Sequence, residues 1–293
     1  MESHIIENGR VTELLDQTKL NWKVGIEKIQ TESGIILEDK IALVRDDNQA
    51  ILGVHSNGYV PYQNFELLEL LDKVSRQTGL PIHTGGSFGD GKKVFIQLKS
   101  NDLKISNTNG VPDEVKGFIT GINSFDGSTS LSFGPSNRTI SCQNTFWGAY
   151  RTLDAKIRHT KNMVMKIDDI CKGIDGVVQE EKEIFNNIIQ LSETSFDDII
   201  RDRVIKDLFD IGKTVDLKDQ DALSTVTRNK LSRFYIDLNG ELKEKGENLW
   251  GLFSGVTKYT THSITKGDNS ENKMFGTYGK REREIFKDLV ELV

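Results

Sequence analysis

The sequence predicts an α+β fold: an antiparallel β-meander packed by a long helix, with a helical C-terminal region. Three observations carry this expectation. Strand signals punctuated by GDGK, NTNG, FDGS and FGPS fill the middle of the chain from Pro81 to Ser141. A helical period then takes over from His159 to Leu191, and the apolar spacing beyond Ser195 stays mostly helical. Helices that follow strands, rather than alternating with them, belong on one face of an antiparallel sheet.

Taken in order, Leu14, Leu15, Leu20, Trp22, Val24 and Ile26 change from helical to alternating spacing, which reads as a short helix and then a strand. Ile35 to Leu37 and KIALVR at 40–45 read as strands, and the latter pairs with AILGVHS at 50–56 across Asp46, Asp47 and Asn48. From Asn64 to Thr78, Phe65, Leu67, Leu68, Leu71 and Val74 share one helix face, with Asn64 as the expected N-cap and Gly79 then Pro81 as the stop. The meander strands are expected at Pro81 to Phe88, Lys93 to Lys99, Val115 to Asp126, Ser128 to Phe133 and Asn137 to Ser141. In the long helix, Ile167, Ile170, Ile174, Val177, Ile184, Ile188 and Leu191 recur at steps of three, four or seven. Gly173 and Gly176 weaken it by about 1 kcal/mol each relative to Ala. Further helices are expected at Phe196 to Ile211, Asp221 to Leu238 and Leu249 to His262, with TKGDNSENK at 265–273 as a linker before a last helix at Arg281 to Val293. One boundary follows: an α+β core at 1–195, and a helical region at 196–293 packed on the core or extending from it.

At 293 residues the chain can bury a core without disulfides or a structural metal. Its two cysteines, Cys142 and Cys171, form no framework and suit a reducing cytoplasm. No stretch approaches the ~20 apolar residues of a membrane span, and the first residues lack the pattern of a signal peptide, so no membrane role is expected. A net charge of −6 means that any nucleic-acid role must rest on a local basic patch.

Motifs of enzyme chemistry fail their context tests. Gly86, Gly91 and Lys92 satisfy GxxxxGK, but Lys93 stands where a Mg²⁺-ligating hydroxyl belongs, and VFIQLK then alternates as a strand instead of opening a helix. The histidines and cysteines show no zinc spacing, so no metal site is expected. Cys142 with His159 makes a poor nucleophile pair, because ISCQNTF is an apolar setting in which a thiol is more often core. The expectation is a protein that is not an enzyme and needs no cofactor.

One stretch departs from the acidic average. Between positions 138 and 166, Arg138, Arg151, Lys156, Arg158, Lys161 and Lys166 face one acid, Asp154, for a net +5 that leaves −11 on the rest of the chain. His159 adds a donor, Phe146, Trp147 and Tyr150 are interleaved, and Lys92 and Lys93 extend the set. Cations beside aromatic rings suit single-stranded nucleic acid, whose phosphates meet Lys/Arg while its bases stack. The competing reading keeps the rings in the core and uses the cations to solvate a helix face.

LVRDDNQAILGVHSNGYVPYQN (43–64), GINSFDGSTSLSFGPSNRTISCQNT (121–145), KIRHTKN (156–162) and LWGLFSGVTKYTTH (249–262) resemble the phage/plasmid-like protein family, a family of unknown function. The resemblance covers nearly the whole chain and implies a phage- or mobile-element-encoded protein acting in the host cytoplasm. More distantly, a meander followed by a long helix looks like the core of single-strand annealing recombinases, a fold-level analogy. The expected function is therefore ATP-independent binding and annealing of single-stranded DNA by a homo-oligomer, in a ring or filament, with a phage or host single-strand-binding protein as a further partner. The alternative, from another class, is a phage structural or host-factor-interaction protein, possibly an acidic DNA mimic, that uses its acidic helical surface and binds no nucleic acid.

Overall fold

The computed structural model describes residues 2–5, 11–106, 113–139, 145–146, 163–219, 221–264 and 270–293. Its strands are β1 (Glu2–Ile5), β2 (Val24–Gln30), β3 (Ile36–Arg45), β4 (Ile51–Ser56), β5 (Ile82–Phe88), β6 (Lys93–Ile105), β7 (Asp113–Ser124), β8 (Ser132–Thr139) and β9 (Thr145–Phe146). Its helices are α1 (Val11–Gln17), α2 (Asn64–Thr78), α3 (Met163–Glu193), α4 (Asp198–Phe209), α5 (Thr225–Lys245), α6 (Leu249–Lys258), α7 (Ser270–Phe275) and α8 (Thr277–Val290). One sheet has the order β1-β5-β6-β7-β8-β9 and the other β2-β3-β4. The fold is α+β with antiparallel sheets and a helical C-terminal part. No helix among the described residues is long and apolar enough to cross a membrane.

Where the sequence reading draws one boundary after residue 195, the compact units are interleaved. The first is Met1–Ser100, Phe118–Pro135 and Ala149–Gln179, and the second is Asn101–Gly117, Ser136–Gly148 and Glu180–Val293. Each has its own apolar core.

In the first unit, Leu67, Leu68, Leu71 and Val74 of α2 are buried with Val94, Ile96, Leu98 and Ile119 of the larger sheet and Leu43 and Leu52 of the smaller one. Helix α2 forms where the period placed it, and it ends on Gly79, whose left-handed φ of 75° lets its N–H reach Ser75 O at 2.8 Å. Its N-cap is Gln63 rather than the expected Asn64: the Gln63 N–H donates to the Glu66 carboxylate at 2.7 Å, while the buried Asn64 amide donates to the carbonyls of Leu20 and Trp22.

In the second unit, α4, α5 and α6 begin on side chains that accept an otherwise orphaned backbone N–H: Asp197 from Ile200, Ser224 from Thr227 and Asn248 from Gly251. Helix α6 is buried nearly all round, and Gly255 permits its close approach to α5, since a Cβ there would stand 2.7 Å from Leu238 Cδ1. Charges are buried here too. Lys245 Nζ lies 3.0 Å from Asp113 and 3.2 Å from Glu241, Lys258 Nζ lies 2.9 Å from the other Glu241 oxygen, and the Trp250 indole donates to Asp113 at 3.0 Å. A second buried pair joins Lys273 to Glu282 at 3.0 Å, beside a π-helical turn at Tyr259–Ser263 whose Thr260 donates to the same carboxylate.

Three further differences from the sequence reading stand out. Strand β1 pairs with β5, although nothing in ESHI signals a strand. Residues 270–273 of the expected linker are helical in α7, and residues 265–269 lie outside the described residues. Helix α3 runs unbroken through Gly173 and Gly176 from Met163, while the expected start at His159 lies outside the described residues.

Lys245→Met is expected to lower unfolding free energy by about 3–5 kcal/mol in urea titration, because it leaves the Asp113 carboxylate buried without that ammonium. A surface Lys gives within about 0.5 kcal/mol of wild type.

Candidate nucleic-acid interface

The basic stretch joins the sheet to the long helix. Strand β8 carries Arg138, whose backbone pairs with Thr145 of β9, the terminal strand of the sheet, and α3 begins at Met163. Trp147, Tyr150, Arg151, Lys156, Arg158, His159 and Lys161 lie outside the described residues. Of the ten candidate residues, the side chains described are those of Lys92 and Lys93.

These two neighbours have opposite fates. Lys92 follows the 3₁₀ turn at Gly89–Gly91 and is exposed. Lys93, the first residue of β6, is only 8% exposed, and its ammonium lies 3.0 Å from Asp126. The expectation that Lys93 extends a phosphate-binding surface is therefore corrected. Every position from Lys93 to Leu98 is buried, so β6 offers Lys93 no solvent-facing side, and an ammonium taken out of water is stable only against a carboxylate. Burial pushes the Asp126 carboxyl up, but hydrogen bonds from the Ser128 hydroxyl and N–H and from Lys93, with the Lys93 charge, outweigh it and hold the group below its usual range.

Asp126 belongs to FDGS, and around it gather residues of VHSNGY. The His55 ring stacks on Tyr59 with centroids 4.0 Å apart, His55 Nε2 lies 2.7 Å from Phe125 O, and the Tyr59 hydroxyl donates to Ser124 O at 3.1 Å. Burial, reinforced by the Asp126 charge, pushes the Tyr59 phenol above its ordinary value, so it stays a neutral donor. Sequence reasoning did not single out His55, Tyr59 or Asp126; the one available signal was the HSNG turn, which puts His55 and Tyr59 four residues apart across a chain reversal. YVPYQN is likewise tied in by side-chain amides: Gln63 accepts from the Val24 N–H at 2.9 Å and donates to its carbonyl at 3.0 Å, and Asn123 donates to Tyr62 O at 2.7 Å.

The GxxxxGK loop is the β5–β6 hairpin that its context predicts. Asp90 takes a left-handed φ of 57° inside the turn and Gly91 a φ of 98°. A Cβ on Gly91 would meet Trp22 and Arg45 at 2.9 Å, because Arg45 lies over the Trp22 ring and donates to Asp90 O at 2.8 Å. No helix N-terminus follows the loop to receive a phosphate. Among the described residues, no three metal-ligating side chains gather.

A family model described as a domain of unknown function (DUF932) matches residues 51–284, most of the chain, and the chain belongs to that family. No curated protein and no solved structure matches it.

Asp126→Asn is expected to lower the melting temperature at pH 7, with the gap to wild type closing as the pH falls. A carboxyl held low in the folded state contributes stability that is complete above the ordinary aspartate value of about 3.9 and is lost as pH drops through the folded-state value. Calorimetry from pH 7 to pH 3 reads this; a gap independent of pH overturns the assignment.

Proposed function

We propose that this DUF932 member binds and anneals single-stranded DNA without ATP, as an oligomer within a phage or mobile-element replication or recombination module. The observation that carries the reading is the net +5 gathered at 138–166 in a chain of net −6, beside Phe146, Trp147 and Tyr150. Arg138, Arg151, Lys156, Arg158 and Lys161 neutralise phosphates, His159 adds a hydrogen bond, and Trp147 or Tyr150 stacks a base. Its position supports the reading: the stretch begins on β8 and ends in the first turn of α3, at Lys166, so its cations are concentrated where the sheet passes to the helix. Lys92 is exposed to solvent, and Lys93 is withdrawn from it by its pairing with Asp126. Annealing requires no cofactor, because base pairing is itself downhill and the protein has only to hold strands extended with their edges open.

The −11 on the rest of the chain favours a second reading, a structural or host-factor-binding protein that repels nucleic acid. One experiment separates the two. Titration of a labelled 50-mer across a salt series is expected to give a steep fall of log affinity with log salt, and Arg158→Ala with Lys161→Ala is expected to weaken binding and flatten the slope by about 0.7 per lost phosphate contact. An unchanged slope in the double variant, or no binding at low salt, overturns the first reading.

A further inference from the structure

The smaller sheet ends in an edge that is already plugged at one rung and open at the next two. Strand β2 is terminal in the order β2-β3-β4. The phase of its hydrogen bonds is fixed by β3 and the turn after it: Arg45 sends its N–H to Ala50 on the β4 side, while Asp46 sends its N–H to Lys23 on the β2 side. Residues 41, 43 and 45 therefore point their backbone groups away from β2, and their cross-strand mates Lys28, Ile26 and Val24 point theirs outward. The outward groups of Val24 are both taken by the Gln63 amide, at 2.9 and 3.0 Å, in the way a neighbouring strand would take them. Those of Ile26 and Lys28 have no such partner among the described residues. Ile26 is 54% exposed, and Ile35 and Ile36 near the end of the same ribbon are 65% and 42% exposed. An apolar edge strand with unpaired amides is a template for an added strand.

We propose that this edge binds an extended segment of another protein as an antiparallel fourth strand, with Gln63 as the stop at one end. A second copy of β2 is a poor occupant. A twofold axis between antiparallel strands passes through a residue pair, so only three registers use the open rungs. Setting Ile26 against Lys28 of the twin brings Glu27 against Glu27. Setting Lys28 against its twin opposes two ammonium groups, and setting Ile26 against its twin drives Lys28 into the rung that Gln63 holds. Charge instead selects a segment with an acidic residue opposite Lys28, a basic one opposite Glu27 and an apolar one opposite Ile26. This inference stands apart from the single-strand reading and uses none of its residues.

The test uses the full chain and a capped, fluorescein-labelled peptide, Thr-Val-Glu-Lys-Val-Thr, read by anisotropy. Saturable binding is expected. Exchanging its Glu and Lys weakens it, and N-methylation of the Glu and of the second Val abolishes it. Ile26→Pro deletes an outward N–H without touching the β3 ladder, so it is expected to weaken binding roughly threefold to tenfold with an unchanged circular-dichroism spectrum. Absence of peptide binding, equal binding of the N-methylated peptide, or unchanged affinity in Ile26→Pro overturns the proposal. So does a dimer in light scattering that Ile26→Pro returns to monomer, which assigns the edge to a second copy.

Discussion

A lysine removed from water must be met by a carboxylate, and that constraint organises the described part of the molecule. Lys93, Lys245 and Lys273 are all nearly inaccessible, and each lies within 3.0 Å of an acid: Asp126, Asp113 and Glu282. Desolvating such a pair costs several kcal/mol per ion, so the pair adds little net stability over an apolar packing of the same volume. Its consequence is uniqueness. With either partner misplaced, a bare charge remains in the core, so the pair admits one arrangement of the segments that carry it. Lys93 and Asp126 are 33 residues apart in sequence, and Asp113 and Lys245 are further apart still, so each pair ties together segments of its own unit that are distant along the chain.

The same logic extends to neutral polar groups in the first unit. Gln63, Asn64 and Asn123 use their amides as portable pieces of backbone, reaching Val24, the carbonyls of Leu20 and Trp22, and Tyr62. Each satisfies backbone groups at a place where a regular ladder ends. The motifs YVPYQN and FDGS are thereby accounted for as structural devices, which turn the chain into α2 and hold the β7–β8 connection against His55 and Tyr59. These side chains complete hydrogen bonds that the local backbone leaves open, and the cations proposed to meet a nucleic acid lie elsewhere on the chain.

What was legible in the sequence follows the same division. Helix α2 and the β3–β4 hairpin stood out because apolar period and turn residues agree there. Helix α5 was expected to end at Leu238 yet continues to Lys245, because the next inward positions, three and seven residues on, are Glu241 and Lys245, charged residues that an apolar-period reading counts as outward. Helix α8 starts at Thr277, one turn before the expected Arg281, because the inward position of that turn is Gly279, which carries no apolar signal. Lys93 was legible as a cation and not as a buried one, since its partner lies 33 residues on, just past the end of β7. A periodic pattern reports where apolar groups go; it is silent about charges that are buried in pairs.

That silence bears on how the charge of the whole chain should be used. Internal pairs remove a cation and an anion together, so they leave the net −6 unchanged while withdrawing both members from the field that a ligand meets. At physiological ionic strength this field decays over about 8 Å, which makes an approaching polynucleotide sensitive to the charges it touches and nearly blind to the rest. A chain total is therefore a weak argument against binding an anion, and a local count is a stronger argument for it. The cations at 138–166 meet one acid, Asp154, in their own stretch of sequence. The case for a single-stranded ligand rests on that local count, in a stretch of sequence that runs from β8 into the first turn of α3.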